Sequence, residues 1–103
     1  DQPRDSSAAS IAACGMLEMA KYLDRAQAEY YQGIAKRLMK ALTEKYAVKD
    51  PAVSNGLVLH STYSNHSPFN TCNHYGVDEC NLWGDYFYME ALTRLYKDWQ
   101  MYW

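Results

Sequence analysis

From Ala8 to Ala20 the chain reads Ala-Ala-Ser-Ile-Ala-Ala-Cys-Gly-Met-Leu-Glu-Met-Ala, a helix-forming run that is apolar nearly all the way round. A helix at the surface keeps a broad polar face, and one that lacks it expects neighbours on most sides. The small residues Ala8, Ala12 and Gly15 would let another backbone come close. The segment is expected to be a buried helix, starting near the capping residues Asp5, Ser6 and Ser7 and running to about Leu23. Whatever fold the chain adopts must supply that cover.

Two further helices are legible. One spans about Ala26 to Tyr46, where Tyr30, Ile34, Leu38 and Leu42 recur every fourth residue, with Lys36, Arg37, Lys40 and Glu44 largely elsewhere. Pro51 bars continuation, Asn55-Gly56 signals a turn, and Leu57 to Leu59 reads as a brief strand or extended segment. The other begins between Asn81 and Asp85. Phe87, Ala91 and Leu95 share one side of it, broadened by Tyr88, Leu92 and Trp99. Gly84 permits a tight approach or an entry turn there, and the aromatic ending from Trp99 to Trp103 should pack back on the helices. The fold class is all-α.

Three helices do not close a core around one that needs cover on every side, because small domains bury a low share of their surface. The chain has 103 residues, starts at Asp1 without an initiator Met, and shows no signal-peptide apolar core in Asp1-Gln2-Pro3-Arg4-Asp5. It is expected to be cut from something longer, docking onto missing chain, or to self-associate through exposed apolar faces. An apolar content of 49% argues against disorder. A net charge of −2 with no basic stripe argues against nucleic acid. No long uncharged apolar run suggests a membrane span. Three cysteines, Cys14, Cys72 and Cys80, lack a disulfide-framework spacing and favour a reducing compartment, hence the cytoplasm. Whether Cys72 and Cys80 pair across a loop is open at this level.

Between Pro51 and Val77 there is no Asp, Glu, Lys or Arg, yet all three histidines, His60, His66 and His74, lie there. Hydroxyls, amides, imidazoles and aromatic faces suit a neutral or weakly anionic polyhydroxylated ligand, held by a loop on a rigid scaffold.

At three separated places the residues resemble one family. Arg4-Asp5-Ser6-Ser7-Ala8-Ala9-Ser10-Ile11-Ala12-Ala13-Cys14-Gly15 is similar to the "RDSSAAAIAACG" helix start of family 88 glycoside hydrolases, the unsaturated glucuronyl hydrolases. Gly76-Val77-Asp78-Glu79, followed by Trp83-Gly84-Asp85-Tyr86-Phe87-Tyr88-Met89-Glu90-Ala91-Leu92, resembles their closing "GVDE…WGDYFYLEAL" segment. Asn55-Gly56-Leu57-Val58-Leu59-His60 is similar to the stretch leading into a substrate loop.

The resemblance implies that residues 1–103 are the C-terminal helices of an (α/α)6 toroid. It further implies an enzyme that releases the terminal 4,5-unsaturated uronic acid from lyase-generated glycosaminoglycan oligosaccharides. The implied chemistry is hydration of a vinyl ether: an acid protonates the double bond, water adds at C5, and the hemiketal collapses. That needs a carboxyl group kept protonated near neutral pH. The family's catalytic aspartates lie upstream, so no residue here is taken as catalytic and the fragment alone is expected to be inactive. The implied partners are the unsaturated oligosaccharide and the missing N-terminal helices. A Ser-x-x-Ser-x-Lys sulfate motif of some members is met here by Ser61-Thr62-Tyr63-Ser64-Asn65-His66. Ser61, Tyr63, Ser64 and His66 are therefore the expected substrate-binding residues, with a titratable imidazole where the family has a permanent cation.

Other residues invite plainer readings. His60 is expected to be a hydrogen-bonded structural histidine, Asp78 and Glu79 to brace a loop, Asp85 to serve the start of its helix, and Arg4 and Asp5 to cap or brace. Trp83 is the aromatic residue of its helix that could serve a sugar. His66, Cys72, His74 and Cys80 carry zinc-compatible donors but lack the paired short spacings of zinc sites, so no metal or cofactor is expected. A hydrolase of unsaturated rhamnogalacturonyl ends, or a non-catalytic helical carbohydrate-binding or interaction module, are the competing readings.

Overall fold

The computed structural model describes residues 4–64 and 76–100. Among these residues three helices form in chain order: α1 Ser6–Ala20, α2 Arg25–Lys45 and α3 Leu82–Tyr96. Each starts on a side chain able to accept from backbone N–H groups that the first turn leaves unbonded. Asp5 accepts from Ser7 N at 3.1 Å, Asp24 from Gln27 N at 2.9 Å, and Asn81 from Gly84 N at 2.7 Å. The all-α class and the three helices expected from the residues are what the chain adopts.

Helix α1 is the centre, packed against both α2 and α3, which barely touch each other. The core joins Ala13 and Cys14 of α1, Ala35, Met39 and Leu42 of α2, Tyr88 and Ala91 of α3, and Val58 from the connection. Alanines at 13, 35 and 91 are fully buried; a methyl side chain fills little space, so backbones can pack closely there. Thr43 Oγ1 and Tyr88 Oη, 2.9 Å apart, tie α2 to α3.

The cover that α1 needs is only half supplied. Ala8, Ile11, Ala12, Gly15 and Met19 lie exposed along one side, and among the described residues nothing beyond the helix's own neighbouring backbone comes within 4 Å of the place where a Gly15 Cβ would sit. The helix buries Ser6, Ser10, Ala13, Cys14 and Ala20 toward its two companions and leaves an apolar strip open.

Two expectations need correction. Tyr30 is 62% exposed, and α2 buries Ala35, Met39 and Leu42 instead. Residues four apart advance about 40° beyond a full turn at each step, so a fourth-residue series drifts off the core face over three steps. Leu95 is likewise exposed, leaving Tyr88 and Ala91 as the buried side of α3.

Between α2 and α3 the described residues make two single-bridge pairings. Ala47 pairs antiparallel with Val58, held by Val48 N to Leu57 O at 2.8 Å and Leu59 N to Tyr46 O at 2.9 Å. Ser61 pairs with Glu79, held by bonds of 2.8 and 3.1 Å. Asp85, in the first turn of α3, accepts from both Leu57 N and Val58 N at 3.0 Å. Trp99 packs back over Arg94, its ring centroid 5.3 Å from the guanidinium carbon.

Candidate functional site

The second pairing makes a short ribbon from residues 60–64 and 76–79, standing beside the start of α3. Ser6 anchors its inner end: Ser6 N donates to His60 O at 2.9 Å and Ser6 Oγ donates to Leu59 O at 2.7 Å. Since Ser6 Oγ has given its hydrogen there, the contact of 3.0 Å with Ser61 Oγ is made by the Ser61 hydroxyl donating. Thr62 continues the seam, with its N–H on Asp5 and its hydroxyl on Arg4 O at 2.6 Å.

At the outer end the Tyr63 and Ser64 N–H groups both donate to Gly76 O, at 2.7 and 3.2 Å. Gly76 has φ +84°, and a Cβ there would fall 2.7 Å from Ser64 Cβ and 2.9 Å from Ser64 N, so glycine is required twice over. Tyr63 Oη donates to Glu79 Oε2 at 3.0 Å, and the Tyr63 ring meets Trp83 edge to face with centroids 6.0 Å apart. Both rings stay open to solvent, Tyr63 at 52% and Trp83 at 43%. Two fixed aromatic faces beside hydroxyls and a carboxylate can bind the apolar face of a sugar ring while polar neighbours bond its hydroxyls.

The expected binding residues separate accordingly. Tyr63 and Ser64 sit together at the ribbon's outer end, with Trp83 joining them. Ser61, also expected at the ligand, is fully buried, and its hydroxyl holds the ribbon to α1. His66 lies outside the described residues, as do Cys72 and His74 of the weighed zinc set; Cys80 is partly buried, with Sγ 3.4 Å from Ser54 Oγ. Among the described residues no group of three His, Cys, Asp or Glu could hold a metal ion. His60 and Asp78 are bonded to each other at 2.9 Å, and Glu79 and Asp85 brace the ribbon and the connection.

A second polar assembly lies between α1 and α3. Arg94 donates to Glu18 Oε2 at 2.6 Å and to Glu90 Oε2 at 3.0 Å, while Tyr86 Oη donates to Glu90 Oε1 at 3.0 Å. Sequence reading missed it, although two signals were present: Glu18 is the lone charge in the α1 body, and Tyr86, Glu90 and Arg94 follow one another at four-residue spacing. The thiol of Cys14 is pushed up to about 12, first by burial and then by the nearby Glu90 carboxylate, which makes it a packing group and not a nucleophile.

Hydrogen bonds from Arg94 and then Lys21 hold the Glu18 carboxyl below its ordinary range. A depressed carboxyl contributes stability that is present above the ordinary glutamate range and lost as pH falls through its lowered value. The melting-temperature gap between the protein and its Glu18→Gln variant is therefore expected to be open near neutrality and to close on acidification. A gap that stays constant with pH would show that the ion pairs contribute nothing.

No helix among the described residues is long and apolar enough to cross a membrane. No family model matches the chain. Individual relatives do. Over 104 residues the chain is 44% identical to an unsaturated chondroitin disaccharide hydrolase of Streptococcus agalactiae, which takes in 99% of this chain and 25% of the relative. An enzyme of the same name from Streptococcus pyogenes is 46% identical over 105 residues, and an unsaturated glucuronyl hydrolase of a Bacillus strain is 37% identical over 102. The chain spans about a quarter of the length of the relatives it matches. Among solved structures, an unsaturated glucuronyl hydrolase mutant from Streptococcus agalactiae superposes with a TM-score of 0.80 at 44% identity, covering 99% of this chain and 28% of that one. The Bacillus enzyme superposes at 0.77 with 35% identity, covering 91% and 24%.

Proposed function

We propose that the chain belongs to the unsaturated glucuronyl hydrolase family and is a substrate-facing, non-catalytic segment of such an enzyme, whose reaction releases a terminal 4,5-unsaturated uronic acid from lyase-generated glycosaminoglycan oligosaccharides. The observation that carries the reading is the similarity along the whole chain, at 44% identity and a TM-score of 0.80, to an enzyme named an unsaturated chondroitin disaccharide hydrolase in one comparison and an unsaturated glucuronyl hydrolase in the other. In this reading residues 1–103 are one portion of a single helical toroid, and the acid that protonates the C4=C5 bond stands on chain that these residues do not include. The open strip of α1 fits that arrangement, since further helices of the same domain would cover it. The cysteines, which lack a disulfide-framework spacing, support a cytoplasmic location in this reading.

The ribbon is assigned the sugar. Tyr63 and Trp83 offer ring faces, Ser64 and His66 offer polar contacts, and Ser61 holds the ribbon in position. Incubation of the intact enzyme with unsaturated chondroitin disaccharide should remove the ultraviolet absorbance of the C4=C5 bond. Absence of that loss with every unsaturated uronyl disaccharide tried would end the reading. Tyr63→Ala is expected to raise KM about tenfold with kcat little changed, the size of effect an aromatic contact of roughly 1.4 kcal/mol gives. An unchanged KM would take the aromatic pair away from the substrate.

A further inference from the structure

We infer that His60 and Asp78 are positioning residues: their side chains form a clasp that sets the direction in which the ribbon presents Tyr63 and Ser64 to the ligand. The inference rests on the proposed sugar-binding role of the ribbon, and its test separates the two. Among the described residues, positive φ occurs at three positions, His60 (+65°), Gly76 (+84°) and Asp78 (+57°), and all three lie in this ribbon. Glycine takes such a conformation freely; histidine and aspartate take it more readily than most residues but still at some cost, which surrounding bonds must offset. Strain held in this way collects at sites that must present groups in one orientation.

The bond that holds the two strained residues is direct. His60 Nδ1 stands 2.9 Å from Asp78 Oδ1, and an ionised carboxylate can only accept, so the imidazole donates. The Tyr46 ring meets the imidazole edge to face at 5.2 Å, and the Arg4 guanidinium carbon lies over the Tyr46 ring, 6.0 Å from its centroid. Closure of the ribbon does not need the clasp, because the Ser61–Glu79 backbone bonds and the Ser6 anchors already close it. The side-chain bond instead fixes the two left-handed kinks, one in each strand. Gly76, two residues from Asp78, takes both the Tyr63 and Ser64 N–H groups. A kink that relaxed at His60 or Asp78 would swing that acceptor and the Tyr63 ring together.

The test uses the intact enzyme and glycine substitutions, which keep the left-handed backbone while removing the bond. His60→Gly and Asp78→Gly should each raise KM for unsaturated disaccharide about fivefold, the ceiling for an exposed ion pair, with kcat within about twofold. The double variant should be no worse than either single one, because the same bond is lost once. Asp78→Asn, which keeps both the acceptor and tolerance of positive φ, should stay near the parent. Independently of activity, amide exchange at Tyr63 and Ser64 should quicken about fivefold in the glycine variants and remain parental in Asp78→Asn. Effects that multiply in the double variant, or an Asp78→Asn as impaired as Asp78→Gly, would overturn the clasp. Faster exchange with KM unchanged would leave the clasp standing as a bond while removing its role in binding. If the parent enzyme proves inactive on unsaturated disaccharides, the functional reading fails and the exchange data still decide the clasp.

Discussion

Replacing Glu90 by alanine is expected to lower the stability of the protein by about 3–5 kcal/mol, the usual cost of stripping one partner from a buried ion pair. The side chains of Glu90 and Arg94 are only 3% and 6% exposed, so solvent cannot take over the lost contacts. Arg94 would keep Glu18 as its one carboxylate among the described residues, and the Tyr86 hydroxyl would lose the Glu90 acceptor. Glu90→Gln should be milder, because an amide oxygen can still accept from Tyr86. The informative comparison is Glu90→Leu with Arg94→Met, which removes both charges and should recover much of the single-variant loss. Urea unfolding measures all three. A Glu90→Ala variant as stable as its parent would mean that the pair is wet in solution and that α1 and α3 are held by apolar packing alone.

Gly84→Ala is expected to destabilise by about 1–3 kcal/mol, against the ordinary gain of nearly 1 kcal/mol for alanine over glycine inside a helix. The added Cβ would lie 2.7 Å from Asn81 Oδ1, 2.7 Å from Ser61 Oγ and 3.3 Å from Ser7 Cβ. None of these can retreat easily. Asn81 Oδ1 is the cap of α3 and bonds the Gly84 N–H, Ser61 is fully buried and bonded to Ser6, and Ser7 is a buried first-turn residue of α1. Gly33→Ala is the matched control. Its nearest neighbour would be the far end of Arg37 at 3.5 Å, so the same change in α2 should stabilise by roughly 0.5–1 kcal/mol. Melting curves of the two variants moving in the same direction would remove the close approach of α3 to α1 as an explanation.

The helices could be read from the chain because their signals are local. Asp5 and Asn81 are side-chain caps at the expected starts, and the apolar spacing within each helix marks its length. Tyr30 was misassigned because a strict fourth-residue rhythm and the true helical repeat diverge over a helix as long as α2. The ribbon could not be read, since single-bridge pairings leave no alternating run to detect. What was legible there was chemistry, an uncharged loop rich in Ser, Tyr and His; Tyr63 and Ser64 were singled out only through the family resemblance, while burial of Ser61 depends on Ser6, which is 55 residues away. The Glu90–Arg94 pair was passed over for a related reason. Charges at four-residue spacing normally mark a solvated face, and only the arrival of α1 with Glu18 makes this pair interior.

The two N–H groups that Asp85 receives have a consequence for the order in which the molecule assembles. Their donors, Leu57 and Val58, precede it by 28 and 27 residues, whereas α1 and α2 adjoin along the sequence across a tight connection. Contacts between sequence neighbours close at small entropic expense and can nucleate early. The segment carrying Val58 must wait for α3 to arrive before its amides find their carboxylate. A late-forming platform grafted onto an early helical hairpin can change its surface residues without disturbing the step that commits the polypeptide to its topology.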